Sequence, residues 1–328
     1  MEVKTILLSA PYMLPFVDRF LPIFKHYGCE VIIADVKERL SEEELLTYAG
    51  KFDGTVCGDD RYTSEVIQKC LPRLKVISKW GTGIDSIDKA AAESHNIRIY
   101  RSTNAFTVPV SDSVMGYILA FARRLPWLDV EMKAGAWEKL PGRAMSEFTL
   151  GVIGVGFIGK EVLSKAHAFG MKLVATDIIE IPQETVASTG VQSVSLGELL
   201  QSSDFISVNC DLNPTSYHLL DDETLQKAKP GAIVINTARG PIIDEPALIK
   251  ALSENRLGGA ALDVFEVEPL PLDSPLMKMK NVMLAPHNSN SSPLAWERVH
   301  WNTIRNLLEG LNIPHSDFDE LQKKFMQV

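Results

Sequence analysis

The sequence has few basic residues, no long apolar run and no closely spaced cysteines. Its 33 lysines and arginines are outnumbered by 42 aspartates and glutamates, giving a formal net charge of −9, whereas proteins that bind nucleic acid carry a basic face. No apolar run approaches the roughly 20 residues that a membrane-spanning helix needs. The four cysteines form no C-x-x-C pair and are expected to be reduced and buried. We therefore predict a cytoplasmic protein with no nucleic-acid, membrane or metal partner.

The chain shows a regular alternation of short β-branched runs and helical stretches. With 328 residues and 45% hydrophobic content it can build more than one core. Residues 3–100 contain five strand-like runs separated by four helical stretches, the pattern of a parallel α/β sheet. The alternation resumes near residue 149 and ends in a last long helix, predicted at 293–309. We therefore predict two α/β domains, with this helix returning to the first.

Residues 149–177 contain a glycine motif in the setting of a dinucleotide site. A short apolar run leads to G-x-G-x-x-G, a helical stretch follows, and Asp177 ends the next strand. In such units the glycines allow a tight turn, the approach of a pyrophosphate and close helix packing. The terminal carboxylate accepts hydrogen bonds from the ribose and would repel a 2′-phosphate, so NAD is predicted rather than NADP. The predicted cofactor residues of this unit are Gly154, Gly156, Phe157, Ile158, Gly159 and Asp177.

Polar side chains follow three other strands of the second domain. Arg239 follows AIVIN and His287 follows VMLA, while Glu266 and Glu268 both follow GGAALDV. Because ligands of open parallel sheets bind outside the carboxyl ends of the strands, we expect these side chains to meet at one edge. A histidine base, a carboxylate to orient it and an arginine for a substrate carboxylate suit oxidation of a hydroxy acid. Spacing alone does not separate Glu266 from Glu268.

A glycine-containing turn follows the fourth strand of the first domain. The glycines that flank Thr82 in KWGTGID can turn backbone N–H groups toward an anion such as a substrate carboxylate. The same residues are also compatible with a simple strand-to-helix turn in which Asp85 caps the helix. Both interpretations stay open.

The region between the domains contains one clear helix and one irregular stretch. Apolar residues recur at helical spacing from Val110 to Leu125. Residues 126–143, which include two tryptophans, show little regular pattern and are interpreted as a core lid or a subunit contact.

In these motifs the sequence resembles the D-isomer-specific 2-hydroxyacid dehydrogenase family, which includes phosphoglycerate, glycerate, lactate and formate dehydrogenases. The segments KWGTGIDSID, GVIGVGFIGKEV, PGAIVINTARG, DVFEVEP and APHNS stand in the family's order. The resemblance implies NAD-dependent hydride transfer between a D-2-hydroxy acid and its 2-oxo acid. It also implies two doubly wound parallel-sheet α/β domains. A Rossmann NAD domain, residues 103–289, would be inserted into a flavodoxin-like substrate-binding lid domain, residues 1–102 and 290–328.

The resemblance also implies roles for individual residues. The family's catalytic glutamate precedes a proline, which selects Glu268, and Arg239 and His287 fall on the other two catalytic positions. Backbone groups of Thr82 and Gly83 would bind the substrate carboxylate.

Further contacts and an oligomeric state follow from the same resemblance. Cys210, Ala238 and Asp263 would line the nicotinamide side of the cofactor. A homodimer would form through the helix that begins at Val110 and the arm from 127 to 137.

Departures from the family pattern leave the substrate open. Phe106 stands where the family usually has an asparagine, so an aromatic group is expected near the substrate. The loop CGDDRY, residues 57–62, lacks the arginine that phosphoglycerate enzymes tend to place just after this strand, so phosphoglycerate is only one candidate. Two alternatives are an NADH-responsive scaffold of the corepressor type and oxidation of formate or phosphite on the same fold.

Overall fold

The computed structural model describes residues 2–326 of the chain. The chain is divided into two compact units: unit 1 is Met1–Phe106 with Ser292–Val328, and unit 2 is Thr107–Ser291. The domain boundaries predicted above fall after residues 102 and 289. Within residues 2–326, no helix is both long enough and apolar enough to span a membrane.

The amino-terminal part of unit 1 is a parallel sheet with intervening helices. The strands are β1 Lys4–Leu8, β2 Cys29–Ile33, β3 Gly54–Cys57, β4 Val76–Lys79 and β5 Arg98–Arg101. The helices are α1 Val17–His26, α2 Glu42–Leu46, α3 Ser64–Lys69 and α4 Lys89–Ser94. The strand order β2-β1-β3-β4-β5 is the flavodoxin-like order, and its direction reverses between β1 and β3.

Unit 2 contains the second sheet. Its helices are α5 Thr107–Arg123, α6 Leu125–Lys133, α7 Phe157–Ala168, α8 Gln183–Thr189, α9 Leu196–Ser202, α10 Asp222–Gln226 and α11 Glu245–Ser253. Its strands are β6 Thr149–Ile153, β7 Lys172–Thr176, β8 Gln192–Ser193, β9 Phe205–Val208, β10 Ile233–Asn236, β11 Gly259–Leu262 and β12 Val282–Leu284. The parallel order β12-β11-β10-β9-β6-β7-β8 is the Rossmann order with one added strand, and it reverses between β6 and β9.

The chain then returns to unit 1 through two carboxyl-terminal helices. Helix α12, Pro293–Gly310, packs on β3, β4 and β5, and α13, Phe318–Phe325, follows it. Ser292 caps α12 by accepting a hydrogen bond from the backbone N–H of Ala295. The predicted return of the last long helix to the first sheet is therefore confirmed, and so is the predicted class of two doubly wound parallel-sheet domains.

The inner strands of the two sheets are buried on both faces, as expected for parallel strands covered by helices. All four residues of β3, β4, β9 and β11 are buried. This explains why the strands appear in the sequence as short continuous apolar runs and not as alternating ones. The carboxyl ends of the strands are thus the positions where polar side chains can leave the core.

Several local predictions were wrong. Residues 125–133 form α6, although they showed no regular pattern. Pro126 lies in the first turn of that helix, where a missing N–H has no cost. Helix α4 is capped by Asp88, which accepts from the N–H of Ala91 at 2.9 Å, and not by Asp85. The prediction also omitted the short elements α8, β8 and α13.

Candidate active site

The glycine motif forms the turn between β6 and α7. Gly154 has φ +88°, and a Cβ there would lie 2.6 Å from the backbone nitrogen of Cys210. A Cβ on Gly159 would overlap the carbonyl oxygen of Gly154. In contrast, nothing lies within 4 Å of a Cβ placed on Gly156, which precedes the first turn of α7 and leaves open space beside the free N–H groups of the helix. An anion can therefore approach this helix end.

Asp177 lies beside this turn and holds it. Its carboxylate accepts hydrogen bonds from the N–H of Val155 at 2.6 Å and of Ile179 at 3.2 Å. It lines a cavity of about 140 Å³ together with Gly156, Phe157 and Glu180. Ile158 instead packs its side chain against the core of unit 2. The glycine turn, the open helix end and the carboxylate of Asp177 beside them are the features of a dinucleotide site.

Three predicted cofactor residues follow neighbouring strands of the same sheet. Cys210 follows β9, and burial raises the pKa of its thiol to about 11, so the sulfur stays protonated. Ala238 follows β10, and its N–H donates to the Asn236 side chain at 3.0 Å. Asp263 follows β11 and is 1% exposed. Its two carboxylate oxygens accept from the N–H groups of Asn288 at 2.7 Å and Ser289 at 2.9 Å, so its side chain anchors the segment after His287.

Arg239 follows Ala238 at the end of β10. It precedes a short 3-10 turn, Gly240–Ile242, and its guanidinium donates to the carbonyl of Ala238 at 2.9 Å. The carbonyl oxygen of Arg239 accepts from the Asn236 side chain at 2.9 Å. Both ends of the residue are therefore tied to the strand terminus, which limits where the guanidinium can lie.

His287 and Glu268 form a direct pair at the same edge. Nδ1 of His287 lies 3.0 Å from Oε2 of Glu268, and the N–H of Phe265 donates to the other carboxylate oxygen at 3.0 Å. Burial alone would raise the pKa of Glu268. The hydrogen bond and charge of His287, with the N–H of Phe265 and the charge of Arg239, outweigh burial and lower the pKa. Glu268 is therefore a carboxylate poised to hold the imidazole ring.

The backbone of His287 is strained. Its φ is +51°, which is uncommon for a residue other than glycine and recurs at functional sites. Its N–H donates to the backbone carbonyl of Asp263 at 2.7 Å, and the side chain of Asp263 fixes the next two residues. These contacts hold His287 in a conformation that the chain would otherwise avoid.

The structure also separates the two glutamates that spacing left ambiguous. Glu266 does not pair with His287. Its Oε1 lies 2.6 Å from Nε2 of His218, a residue 48 positions away in sequence. The sequence interpretation missed His218 because no local pattern connects it to the Glu266 loop.

The predicted substrate residues lie in unit 1. The hydroxyl of Thr82 donates to the carbonyl of Ser102 at 2.9 Å, so its side chain braces the turn, and Gly83 is half-buried beside it. Phe106 is buried and its ring lies 5.6 Å from that of Trp80. Trp80 in turn donates to Nδ1 of His300 at 2.9 Å. An aromatic cluster thus adjoins the turn after β4.

A second group of charged residues adjoins the same turn. The ammonium of Lys79 lies 3.1 Å from Asp59, and Lys79 is 3% exposed. Asp60 accepts from Ser9 and from the N–H of Leu40, and burial raises its pKa to about 6. Among residues 2–326, no three His, Cys, Asp or Glu side chains are arranged to hold a metal ion.

The strand order of unit 2 and its glycine turn are those of a dinucleotide-binding domain. Comparison with known proteins agrees. Residues 115–289 match the family model described as D-isomer specific 2-hydroxyacid dehydrogenase, NAD binding domain. The chain is 36% identical to a glyoxylate reductase of Thermofilum pendens over 288 residues, which covers 85% of each protein.

Other relatives extend the comparison. The chain is 39% identical over 307 residues to a D-3-phosphoglycerate dehydrogenase of Methanocaldococcus jannaschii, covering 90% of this chain but 58% of that protein. The solved glyoxylate reductase of Paecilomyes thermophila superposes with a TM-score of 0.83 at 26% identity, covering 95% of this chain and 96% of that one. The chain belongs to the D-isomer specific 2-hydroxyacid dehydrogenase family and is an NAD-dependent enzyme.

Proposed function

We propose that the enzyme interconverts a D-2-hydroxy acid and its 2-oxo acid. The observation that carries this proposal is the His287–Glu268 pair, 3.0 Å apart, at the strand edge that also holds Arg239. Bound NADH supplies the hydride that reduces the carbonyl carbon. The protein has to supply the proton and to hold the substrate carboxylate.

His287 is proposed as the acid and base. In reduction it donates a proton to the substrate oxygen, and in oxidation it removes the hydroxyl proton. Glu268 favours the protonated ring through its charge and fixes the ring through its hydrogen bond. Arg239 offers a planar pair of donors to the substrate carboxylate or carbonyl, and backbone groups of Thr82 and Gly83 are proposed to bind the carboxylate.

We further propose that unit 2 binds NAD in preference to NADP. Asp177, Glu180 and Lys160 line the cavity beside the glycine turn, and a 2′-phosphate placed there would meet two carboxylates and one ammonium group. The space beside Gly156 fits the pyrophosphate at the start of α7. Cys210 and Ala238 remain proposed contacts on the nicotinamide side.

The substrate is proposed to be an unphosphorylated 2-oxo acid. At the carboxyl end of the unit 1 sheet, the cation Lys79 is buried and paired with Asp59, and Asp60 lies beside them. A phosphate dianion placed beside them would meet the carboxylates of Asp59 and Asp60, and the nearby exposed Arg101 already donates to the carbonyl of Thr82 at 3.3 Å. The name of the Thermofilum pendens relative, glyoxylate reductase, supports a small substrate of this kind.

A screen of 2-oxo acids with NADH, followed by absorbance, tests the proposal. Turnover of unphosphorylated acids such as glyoxylate, with kcat/KM at least about tenfold above that of a phosphorylated 2-oxo acid, is expected; a tenfold ratio corresponds to ~1.4 kcal/mol. Tight NADH binding without turnover of any acid would instead indicate a scaffold protein. Oxidation of formate or phosphite without reduction of 2-oxo acids would also contradict the proposal.

A homodimer is proposed through α5 and the segment after it. Large apolar side chains are exposed along this stretch: Leu125 is 55%, Val130 66% and Trp137 84% exposed. Such exposure of neighbouring apolar groups is typical of a contact surface. Light scattering should give a mass about twice 36.3 kDa, and Val130→Asp should halve it; a monomeric wild-type mass would exclude the dimer.

A further inference from the structure

The loop that follows β11 carries two glutamates, and each is paired with a different histidine. Glu268 meets His287 at 3.0 Å, whereas Glu266 meets His218 at 2.6 Å. All four side chains are about one-quarter to one-third exposed, between 26% and 30%. The second pair is thus as well formed as the first, although the proposed reaction gives it no chemical step.

His218 is itself held rigidly. Its φ is +48°, its ring stacks on that of Tyr217 with centroids 4.1 Å apart, and its N–H donates to the carbonyl of Pro241 at 2.9 Å. Pro241 belongs to the 3-10 turn that follows Arg239. The histidine is therefore anchored on the segment that carries the proposed substrate-binding arginine.

Glu266 has further contacts that fix the loop. Its N–H donates to a carboxylate oxygen of Glu245 at 3.3 Å, and the N–H of Glu245 lies 3.4 Å from the carboxylate of Glu266. Asp244 lies 3.7 Å from the other ring nitrogen of His218. The acids that face the His218 ring are thus Glu266 and Asp244, and Glu245 binds the loop from the start of α11.

The loop rests directly on the turn after Arg239. A Cβ placed on Gly240 would overlap the backbone of Phe265 and Glu266, so there is no space between the two segments. Phe265 is also the residue whose N–H binds Glu268 at 3.0 Å. Movement of Glu266 away from His218 would therefore displace Phe265 and, with it, the hydrogen bond that fixes Glu268.

From this geometry we infer that His218 is a positioning residue for catalysis. By holding Glu266, it keeps the loop of residues 265–268 against Gly240 and so holds Glu268 in place against His287. The inference rests on the proposed role of Glu268 and His287. A displacement of about 1 Å in such a group can cost up to about 100-fold in rate. Loss of the His218–Glu266 pair is therefore expected to lower the rate measurably.

Three variants test this inference. His218→Phe keeps the ring that stacks on Tyr217 and removes both nitrogens, while His218→Gln retains an amide N–H that can reach Glu266. His26→Phe is the matched control, because His26 of unit 1 forms a similar pair with Asp317, at 2.7 Å. If His218→Phe does not fold, Glu266→Ala removes the other partner of the pair.

Two readouts distinguish positioning from a general structural role. The first is kcat at saturating NADH, which should fall about tenfold in His218→Phe, with the KM for NADH within about twofold of wild type. The second is the carboxyl titration of Glu268 by ¹³C NMR, assigned with Glu268→Gln. Its pKa should rise by about half a unit as the contacts that lower it loosen. His218→Gln should restore both values toward wild type, and His26→Phe should alter neither.

The titration does not depend on turnover. If the wild-type enzyme reduced no 2-oxo acid, the proposed function would fail. A shifted Glu268 titration in His218→Phe would still support the positioning role of His218. A Glu268 pKa in His218→Phe equal to that of the control would overturn the inference. It would also be overturned if His218→Gln behaved like His218→Phe.

Discussion

The two units use the same parallel-sheet architecture, but the Glu268–His287 pair of unit 2 keeps more contact with solvent than two titratable groups of unit 1, Asp60 after β3 and His300 in α12. In unit 2, Glu268 and His287 are each 30% exposed in their side chains. In unit 1, Asp60 is 0% and His300 is 2% exposed. A group that keeps contact with solvent or a ligand can exchange protons during a reaction, whereas a sealed group affects mainly the stability of the fold.

The direction of the pKa shifts supports this contrast. Burial raises the pKa of Asp60 to about 6 and lowers that of His300 to about 4, so burial favours the neutral form of both. In unit 2, specific partners outweigh burial and lower the pKa of Glu268, which favours its charged form. Burial thus favours the neutral forms of Asp60 and His300 in unit 1, whereas specific partners favour the charged form of Glu268 in unit 2, beside the proposed acid and base.

The largest effect is expected for His287→Ala in unit 2. Removal of the proposed acid and base should lower kcat by about 10³-fold, within the range of general acid–base catalysis. Binding of NADH, measured by fluorescence titration, should be retained because the glycine turn is intact. His167→Ala, an exposed position near the end of α7, is the control. Wild-type turnover in His287→Ala would contradict the assignment of His287 as the acid and base.

An intermediate effect is expected in unit 1 from His300→Gln. The folded-state pKa of His300 is about 4, below the usual value near 6.5, so unfolding takes up a proton as the pH falls. The stability contributed by the neutral ring is present above pH 6.5 and is lost as the pH falls towards 4. From pH 7 to pH 4, the wild type should lose about 3 kcal/mol more unfolding free energy than His300→Gln.

Urea unfolding at several pH values measures this difference, and Asp60→Asn supplies a comparison of opposite sign. Because the folded-state pKa of Asp60 is raised to about 6, its contribution to stability is present below pH 4 and is lost as the pH rises through 6. The wild type should therefore lose stability relative to Asp60→Asn as the pH increases. If the stability differences from the wild type changed with pH in the same direction for both variants, burial would not be the cause of the two pKa shifts.

The smallest effect is expected for Asp177→Asn in the cofactor cavity. The amide oxygen of asparagine can still accept from the N–H of Val155, so the glycine turn is kept while the charge is removed. The preference for NADH over NADPH in kcat/KM should fall about tenfold, or ~1.4 kcal/mol. Glu184→Gln removes the same charge from the exposed surface of α8 and should leave the preference unchanged. An unaltered preference in Asp177→Asn would exclude charge repulsion by Asp177 as its cause.

Elements with strong local patterns could be predicted from the sequence. The β1, β3 and β7 strands occupy the predicted residues, because buried parallel strands are continuous apolar runs between polar segments. Helix α6 was missed because its apolar residues lie on an exposed face and not on a core stripe. Asp85 and Asp88 are both acceptable caps by residue type, and only the backbone conformation placed the cap at Asp88.

The sheet edge on which the candidate site lies was predictable, because the topology of a parallel sheet fixes where the residues after each strand are placed. Arg239, Glu268 and His287 could be assigned to one sheet edge because each follows a strand of the same parallel sheet. Their mutual contacts could not be predicted, since they depend on how loops fold back on one another. Asp263 illustrates the difference: it was expected at the nicotinamide, and its side chain is found bound to the backbone after His287.

By itself, the sequence determined that the protein has two parallel α/β sheets, a glycine turn for NAD and polar residues at the strand ends, because periodicity and spacing along the chain encode these features. The tertiary structure decided which glutamate meets which histidine. Glu266 and Glu268 are two residues apart and chemically identical, and they are distinguished by partners 48 and 19 positions away. Contacts at that separation depend on the register and packing of whole strands and loops, which no local pattern records.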